Sequence, residues 1–447
     1  MFEKILRIAK KFIPGRVFGF FQPFYHRFLN FLGAAWHGWP SREMTMIGVT
    51  GTNGKSTTVN LLAEILEEAG IKTASISSLC FRIGEKEWPN ALKMTMPGRF
   101  LLQKFLARAR KAGVRHAIIE VTSEGIRQFR HKNIKWDILA ITNLAPEHIE
   151  SHGGFENYKR AKGRLFAEPH KTTVVNADDA NAEYFLGFPA EEKITYGIKN
   201  AAEIKAENVK LADKSIRESV GIKFSVGKTE FSLPLLGEFN VYNALAALAM
   251  ARTLGVSDEK IKSALMKVKS IPGRMEFIDA GQLFRVVVDY AHTPDALQKV
   301  YETLKSCPAP EQARYGAGKL QVNKLICVLG AAGGGRDKWK RPEMGKIAAR
   351  YCDEIILTNE DPYDENPFSI LEQIEKGFSQ IPNYKKIIDR REAIEKALKS
   401  AAAGDTVIIT GKGAESVIMG PAGKRVPWDD RQAVREEIKK SQITNSE

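Results

Sequence analysis

A glycine-rich run with one lysine and two hydroxyl side chains is the clearest sign of chemistry in this sequence. It reads Gly51-Thr52-Asn53-Gly54-Lys55-Ser56-Thr57. An apolar strand pattern, Met46–Val49, precedes it, and a helical pattern that stops at Gly70 follows it. In that context the backbone N–H groups and the helix N-terminus face phosphates, Lys55 reaches the β- and γ-phosphates, and Ser56 holds Mg²⁺. A glycine-rich turn with an incidental lysine is the plain alternative, and the strand–loop–helix order favours nucleotide binding.

Two later strand ends carry acidic and imidazole side chains. Glu120 lies near the end of the apolar run Ala117–Val121, where an acid would point into the crevice that holds nucleotide-bound Mg²⁺. The run Ile138–Thr142 is followed by a loop that contains His148 and His152. Alone, each is weak evidence, because acids at strand ends are often only solvated and a single histidine is usually structural.

The composition places these motifs in a globular protein of two or three domains. The chain has 447 residues, of which 43% are hydrophobic and 27% charged, so each domain can bury a core. The four cysteines form no CxxC pair, which predicts a reduced, cytoplasmic protein without a disulfide framework or a zinc site. The net charge is +14, but no nucleic-acid-binding motif accompanies it, so we expect no nucleic-acid partner.

The opening segment, residues 1–42, is basic and aromatic. It contains seven Lys or Arg residues against one acid, with many Phe and Trp residues between them. Charges interrupt every apolar run, so the segment is neither a signal peptide nor a transmembrane helix. Two interpretations stay open: a pair of amphipathic helices, broken at Pro14 and Pro23, that packs on the protein body, or an interfacial anchor that makes peripheral membrane contact.

The rest of the chain predicts two α/β domains. Strands and helices alternate from Met44, and a small antiparallel insert is expected between about 194 and 235, before a helix over Tyr242–Thr253. After Pro272 the alternation restarts. The predicted strands there are Arg285–Val288, Lys324–Leu329, Glu354–Leu357, Lys386–Ile388 and Thr406–Ile409. The expected domains are therefore 1–42, a central P-loop ATPase-type parallel sheet over 43–271, and a Rossmann-like α/β domain over 272–447.

Several strings together resemble the Mur ligases of peptidoglycan assembly, and within them the enzymes that add the third amino acid of the stem peptide. The strings are Gly51–Thr57, Glu120–Gly125, Thr142–Gly153, Tyr158–Lys162, Asn176–Asp179, Gly237–Asn243, Pro272–Glu276, Asp289–Leu297 and Gly335–Pro342. The resemblance covers roughly residues 44–435. It implies a ligase that joins a carboxylate to an amine through an acyl phosphate and uses ATP and two Mg²⁺ ions.

The resemblance also assigns roles residue by residue. It implies that Lys162 is carbamylated and that the metal ligands are Ser56, Glu120, His148 and Lys162. With Lys55, the residues Lys162, His148 and Glu120 would be catalytic. Beyond the loop, the implied nucleotide-site residues are Asn243, Arg274, Asp289 and His292. The implied substrate residues are Thr95, Thr122, Gln128, Arg130, Arg336, Asp361, Tyr363, Gly411 and Glu415, and they would bind a nucleotide-sugar peptide and an amino acid.

The sequence departs from that family at its N-terminus and on the substrate side. The phosphate loop begins at residue 51, so we expect the usual N-terminal UDP-binding domain to be missing. Members that add diaminopimelate carry an arginine where Tyr363 stands, which favours L-lysine or another amino acid unless Arg390 or Arg391 compensates. Ala414 and Glu124 each replace a histidine. The alternatives are polyglutamylation or cyanophycin-type synthesis, and a membrane-associated, non-catalytic role.

Overall fold

A computed structural model describes residues 15–92, 94–211, 221–307, 324–378 and 383–444. It divides into two compact units. The first holds the described residues up to Leu144, then Lys159–Lys205 and Ala244–Ile261. The second holds Ala145–Tyr158, Ala206–Asn243 and the described residues from Lys262 onward. None of the described helices is long and apolar enough to cross a membrane. The predicted domain boundaries at residues 42 and 271 stay a prediction.

Strands and helices alternate through the first half of the chain. In chain order the elements are α1 (Gly15–Trp36), β1 (Thr45–Thr50), α2 (Lys55–Glu68), β2 (Thr73–Ile76), β3 (Cys80–Ile83), β4 (Lys86–Pro89), α3 (Arg99–Lys111), β5 (His116–Glu120), α4 (Ser123–Arg127), β6 (Ile138–Ile141), α5 (Ile149–His152), α6 (Phe155–Phe166), β7 (Thr172–Asn176), α7 (Ala182–Leu186), β8 (Glu192–Gly197), β9 (Ile204–Leu211), β10 (Ile222–Val226), β11 (Thr229–Leu233) and α8 (Glu238–Thr253).

The first unit is built on a parallel sheet with the strand order β8-β7-β6-β1-β5-β2, and the antiparallel strands β3 and β4 extend its β2 edge. β1 pairs with β5 on one side and with β6 on the other, so it is central. Its residues from Met46 to Thr50 are all buried. A run that is apolar on both faces is what a strand covered on both sides requires. The carboxyl end of β1 therefore opens into the crevice of the sheet.

The antiparallel insert is shorter than the sequence predicts. β8 pairs parallel with β7 and β9 begins parallel to β8, so both continue the main pattern. Only the later part of β9 pairs antiparallel with β10, which forms a hairpin with β11 around Gly227. The helix after it begins at Glu238, four residues before the predicted start. Parallel pairing of β8 could not be read from its half-exposed residues.

In the described part of the N-terminal segment, a helix runs through Pro23, where the sequence predicted a break. Helix α1 is continuous over Gly15–Trp36, so the predicted break at Pro23 was wrong, and Pro14 lies outside the described residues. The second half of α1 packs on α3: a Cβ on Gly33 would lie 3.5 Å from the Cα of Phe100. This docking stabilises the helix despite the hydrogen bond that proline removes.

The second half of the chain continues the alternation. Its elements are α9 (Asp258–Lys267), β12 (Glu276–Phe277), β13 (Arg285–Val288), α10 (Pro294–Ser306), β14 (Leu325–Leu329), α11 (Lys340–Tyr351), β15 (Glu354–Leu357), α12 (Pro367–Glu375), β16 (Tyr384–Lys386), α13 (Arg390–Ser400), β17 (Thr406–Ile409), β18 (Val417–Met419), β19 (Arg425–Pro427) and α14 (Asp430–Thr444). β16 was predicted two residues late, at Lys386–Ile388, because its exposed lysines give little burial signal.

The second unit contains a six-stranded sheet with the order β12-β13-β17-β14-β15-β16, parallel except for β12. Successive residues of its strands pack on opposite faces: Cys327 belongs to the core under α10–α12, and Val328 to the core under α13 and α14. Helices on both faces of a parallel sheet confirm the predicted α/β class. Cys327 and Cys352 form a disulfide, which corrects the expectation of reduced cysteines. Their spacing of 25 residues gave no sign that β14 and the end of α11 meet.

Candidate active site

The phosphate-binding loop lies between β1 and α2, where the sequence predicts it. Gly51 adopts φ 145°, and a Cβ there would lie 1.9 Å from Thr142 Oγ1, so only glycine fits. Gly54 adopts φ 82° immediately before α2. Asn143 holds the loop from the end of β6: its carbonyl accepts from Thr52 N at 2.9 Å, and its side-chain oxygen accepts from Asn53 N at 3.0 Å.

Ser56 and Glu120 meet beneath this loop. Ser56 Oγ donates to Glu120 Oε2 at 2.8 Å, and the backbone N–H of Ser78 donates to the same oxygen at 2.8 Å. Both side chains are buried. A hydroxyl and a carboxylate are hard oxygen ligands that fit Mg²⁺. Across the described ranges, no group of three or more His, Cys, Asp or Glu residues is arranged to hold a metal ion.

Lysine side chains contact the loop from two sides. Lys55 Nζ donates to Thr52 O at 2.8 Å. Lys162, on α6, is 1% exposed, and its Nζ donates to Gly51 O at 2.8 Å. Lys162 Nζ also lies 3.4 Å from Thr50 Oγ1. The structure therefore brings Lys162 to the base of the phosphate loop, together with the predicted metal ligands Ser56 and Glu120.

His148 lies in the second unit, on a segment held by the start of α11. Its backbone is left-handed, with φ 56°. The carboxylate of Asp337 accepts from the next two backbone N–H groups, at 3.0 Å each. Glu147 forms a buried ion pair with Lys340 at 3.0 Å. In return, Glu150 accepts from the backbone N–H of Lys338 at 2.7 Å. The conformation around His148 thus depends on Asp337 and Lys340.

The residues predicted to bind the acceptor lie around α4. Thr122 caps this helix by accepting from Gly125 N at 3.1 Å. Arg130 donates to the side-chain oxygen of Gln128 at 2.6 Å and to the backbone oxygen of Met96. Thr95 directly precedes Met96 in the chain, so all four predicted acceptor residues belong to one cluster.

A pocket in the second unit collects charged side chains from loops after parallel strands. Its lining includes the rings of Tyr290 and His292 and the charged groups of Arg336, Lys340, Glu360, Asp361 and Glu415. These residues follow β13, β14, β15 and β17. The carboxyl ends of parallel strands meet at one edge of a sheet, which is where open α/β sheets bind ligands.

Ion pairs inside the pocket leave one acid and one base for a ligand. Lys412 Nζ contacts Asp361 Oδ1 at 2.8 Å and Glu415 Oε2 at 2.6 Å. Lys340 is engaged by a carboxylate outside the pocket. Glu360 is 5% exposed, and its Oε2 has no hydrogen-bond partner in the described part of the chain. Burial raises the pKa of Glu360, although nearby Lys412 opposes the rise. Arg336 and Glu360 match the carboxylate and ammonium of an amino acid.

The predicted nucleotide-site residues of the second unit are mostly fixed by their neighbours. Asp289 accepts from Met275 N and Ala291 N, both at 2.7 Å, while burial raises its pKa. His292 Nδ1 lies 2.8 Å from Tyr290 O, and burial together with Lys340 holds the pKa of His292 well below its ordinary value. Arg274 stacks over the Tyr290 ring at 4.2 Å. Asn243, on α8, donates to Asn240 Oδ1 at 3.1 Å.

Comparison with known proteins decides which chemistry this arrangement serves. The Mur ligase middle domain matches residues 49–251, and the Mur ligase glutamate ligase domain matches residues 273–413. The chain belongs to the Mur ligase family. It is therefore an ATP-dependent amide-bond ligase. Mur ligases use ATP and Mg²⁺, in agreement with the loop and with Ser56 and Glu120.

The relatives are ligases of peptidoglycan precursors. The UDP-N-acetylmuramoyl-L-alanyl-D-glutamate–2,6-diaminopimelate ligase of Bacillus licheniformis is 36% identical over 92% of this chain and 82% of its own length. The UDP-N-acetylmuramyl-tripeptide synthetase of a Roseiflexus species is 38% identical over 90% and 80%. A solved structure of a diaminopimelate ligase has a TM-score of 0.57 at 33% identity, covering 89% and 79%. These relatives favour neither of the alternative functions.

The two arginines expected as possible replacements on the substrate side of this Mur ligase both form ion pairs. Arg390 is buried in an ion pair with Asp430 at 2.7 Å, and Arg391 pairs with Glu436 at 2.7 Å. The ring of Tyr363 packs over Gly334, where a Cβ would lie 2.5 Å from Tyr363 Cδ2. Gly411 lies against Glu360, with its hypothetical Cβ 2.8 Å from Glu360 Oε2.

Sequence reasoning missed several side chains of this Mur ligase site. Ser78, which contacts both Ser56 and Glu120, lies in a serine-rich turn without a motif. Lys412 gives no local signal, because a lysine after a strand is usually solvated. Glu360 could have been found, because it is an acid in the loop directly after the strand β15. An acid at the end of a strand is the signal that identified Glu120.

Proposed function

We propose that this Mur ligase adds an amino acid to a UDP-N-acetylmuramoyl-dipeptide-like acceptor in peptidoglycan precursor synthesis, in the cytoplasm. The acceptor carboxylate attacks the γ-phosphorus of ATP, and ADP leaves with the electrons of the broken P–O bond. The amine then attacks the acyl carbon of the acyl phosphate, loses a proton, and phosphate leaves. The observation that carries the proposal is the placement of Lys55 and Ser56 on the phosphate loop with Glu120, at the end of β5, in contact with Ser56.

The charges at the phosphate loop suit this sequence of steps. A carboxylate that approaches a triphosphate meets strong repulsion, which Lys55 and the loop N–H groups offset. Mg²⁺, held by Ser56 and Glu120, would supply further positive charge at the transferring phosphoryl group. We propose that a carbamylated Lys162 helps to hold a second Mg²⁺, supported by the burial of Lys162 at the base of the loop.

We further propose L-lysine as the added amino acid. Arg336 would bind its α-carboxylate, while Glu360 would face its side-chain ammonium. The second carboxylate of diaminopimelate would instead lie near the acidic side chains of the pocket. Tyr363 provides no positive charge to pair with it, as an arginine would.

Phosphate release tests the proposed function. The purified chain would be given ATP, Mg²⁺ and UDP-N-acetylmuramoyl-dipeptide with each member of an amino-acid panel. We expect release that depends on both acceptor and amino acid, with a new amide product by mass spectrometry. Release that is unchanged when the acceptor is omitted, or activity only with folate and glutamate, would contradict the proposal.

We also propose that residues 1–42 make peripheral membrane contact. Along α1, Phe28 is 60% exposed, Phe31 49% and Trp36 83%. Phe28 and Phe31 are three residues apart and so lie on one face of α1. On neighbouring α3, Phe100 and Leu101 are also exposed. Exposed basic residues on α3 continue this surface: Lys104, Arg108 and Lys111. Apolar side chains beside lysine and arginine match an anionic bilayer interface.

Vesicle flotation tests this contact. We expect the full chain to bind phosphatidylglycerol-containing vesicles and to be released by salt. The double substitution Phe28→Ser with Trp36→Ser should abolish binding, whereas Phe368→Ser with Ile443→Ser, at exposed apolar positions elsewhere, should not. Equal binding by both double variants, or none by the wild type, would refute the contact.

A further inference from the structure

Two arginines lie side by side in the first unit, on either side of Gln128. Arg99, the first residue of α3, donates from Nε to Gln128 O at 3.3 Å. Arg130 donates from Nη2 to Gln128 Oε1 at 2.6 Å and from Nη1 to the backbone oxygen of Met96. Both guanidinium groups are thus anchored by neutral oxygen atoms of the same small cluster.

No carboxylate neutralises this pair in the described residues. Burial and the neighbouring Arg130 lower the pKa of Arg99 to about 10, while Tyr25 of α1 opposes the shift. Burial lowers the pKa of Arg130, and only Glu124 opposes it. Glu124 itself lies 3.5 Å from Arg127 and also accepts from Gln128. Two guanidinium groups are therefore held together against their mutual repulsion.

Among the described residues, each arginine also keeps a buried nitrogen without a hydrogen-bond partner. These atoms are Arg99 Nη2 and Arg130 Nε, and Arg130 is only 8% exposed. Buried donors are nearly always satisfied, and buried charges are nearly always paired. A merely structural arginine would be placed to use its donors on the protein, so the unused donors point to a ligand.

We infer that Arg99 joins Arg130 in a two-arginine clamp for an oxyanion group, a carboxylate or a phosphate, of the acceptor substrate. Planar guanidinium groups match the paired oxygens of both anions. Because α3 begins at Arg99, its N-terminal end adds positive potential at the same point. The clamp lies next to the predicted acceptor residues Thr95 and Thr122. Naming the acceptor as the source of the anion rests on the proposed function.

The test separates affinity from stability. In Arg99→Gln we expect the KM for the acceptor to rise roughly tenfold or more, with the KM for ATP unchanged. Without ligand, the same variant should melt no lower than the wild type, because a like-charge contact is removed. Arg99→Lys should be intermediate. Lys193→Gln, an exposed position on β8, should match the wild type in both measurements.

Calorimetric titrations with UDP and with the free L-alanyl-D-glutamate dipeptide identify the anion. Weaker binding of the dipeptide by Arg99→Gln assigns a carboxylate, and weaker binding of UDP assigns a phosphate. Unchanged binding of both probes together with an unchanged KM for the acceptor would overturn the clamp, as would a lower melting temperature with equal losses for ATP and acceptor. An acceptor that binds the wild type through Arg99 without releasing phosphate would defeat the proposed function and leave the clamp standing.

Discussion

The phosphate loop of the first unit and the charged pocket of the second differ in how their polar groups are satisfied. Beneath the loop, Glu120 receives two hydrogen bonds, and Lys162 donates to a backbone oxygen of the loop. In the pocket, Glu360 is buried with an oxygen that has no partner in the described residues. The loop matches the Mur ligase pattern from Gly51 to Thr57. Near the pocket residues in the chain, by contrast, the resemblance implies other side chains at the positions of Tyr363 and Ala414.

The difference separates two kinds of constraint. Phosphoryl transfer from ATP is the same step for every Mur ligase, so its residues have little freedom. The incoming amino acid varies between enzymes, so its pocket is where a chain acquires its own selectivity. Loss of a loop residue should therefore abolish turnover with every amino acid, and a pocket change should redistribute turnover among them.

The largest effect is expected for Lys162→Ala. We predict that turnover falls by at least about a hundredfold with every amino acid, because a buried charged group beside the phosphate loop is removed. If Lys162 acts as a carbamate, acetate or another short carboxylic acid should partly restore turnover. Phosphate-release rates with and without the added acid measure both effects.

The matched control is Lys159→Ala on the same helix, where the ammonium lies 5.3 Å over the Tyr184 ring instead of under the loop. It should retain most of the activity. Unimpaired turnover in Lys162→Ala would remove the second metal site from the proposal. It would also contradict the view that residues at the loop are required for turnover with every amino acid.

An intermediate effect is expected for Tyr363→Arg. The wild type should prefer lysine to diaminopimelate, and the new guanidinium should shift the ratio of kcat/KM values by about tenfold or more toward diaminopimelate. Tyr363→Phe keeps the ring and adds no charge, so its preference should stay that of the wild type. Faster phosphate release with diaminopimelate than with lysine in the wild type would show that the pocket recognises its ligand in another way.

The same contrast explains what could be predicted from the sequence. The loop was found because its residues are adjacent in the chain and its strand and helix carry strong periodic patterns. The pocket depends on four separate loops, and nothing local shows that Lys412 reaches Asp361 or that Arg390 is occupied by Asp430. Lys340 lies within the Gly335–Pro342 string, but its ion pair with Glu147 spans 193 residues and has no local signature in the sequence.

The smallest effect concerns stability, and it is expected for Glu360→Gln. Because burial raises the pKa of Glu360 above its ordinary value of 4.5, the folded chain retains a proton that the unfolded chain has lost. The stability that this proton provides is complete below pH 4.5 and is lost as pH rises through the folded-state pKa. Glutamine does not titrate, so the variant should gain stability relative to the wild type as pH rises.

Denaturant unfolding at pH 4.5, 6 and 8 measures this change, which should reach on the order of 1–3 kcal/mol at pH 8. The KM for lysine should rise at the same time. Asp361→Asn is the matched control, since Asp361 already accepts from Lys412 and from Met419 N and should lose stability when neutralised. A Glu360→Gln variant that is less stable at pH 8 would mean that this carboxylate is structural. Greater stability with weaker lysine binding would instead show that the pocket retains an acid that lowers the stability of the fold but binds the ligand. Glu120, beneath the loop, is already satisfied by two hydrogen bonds and has no such cost.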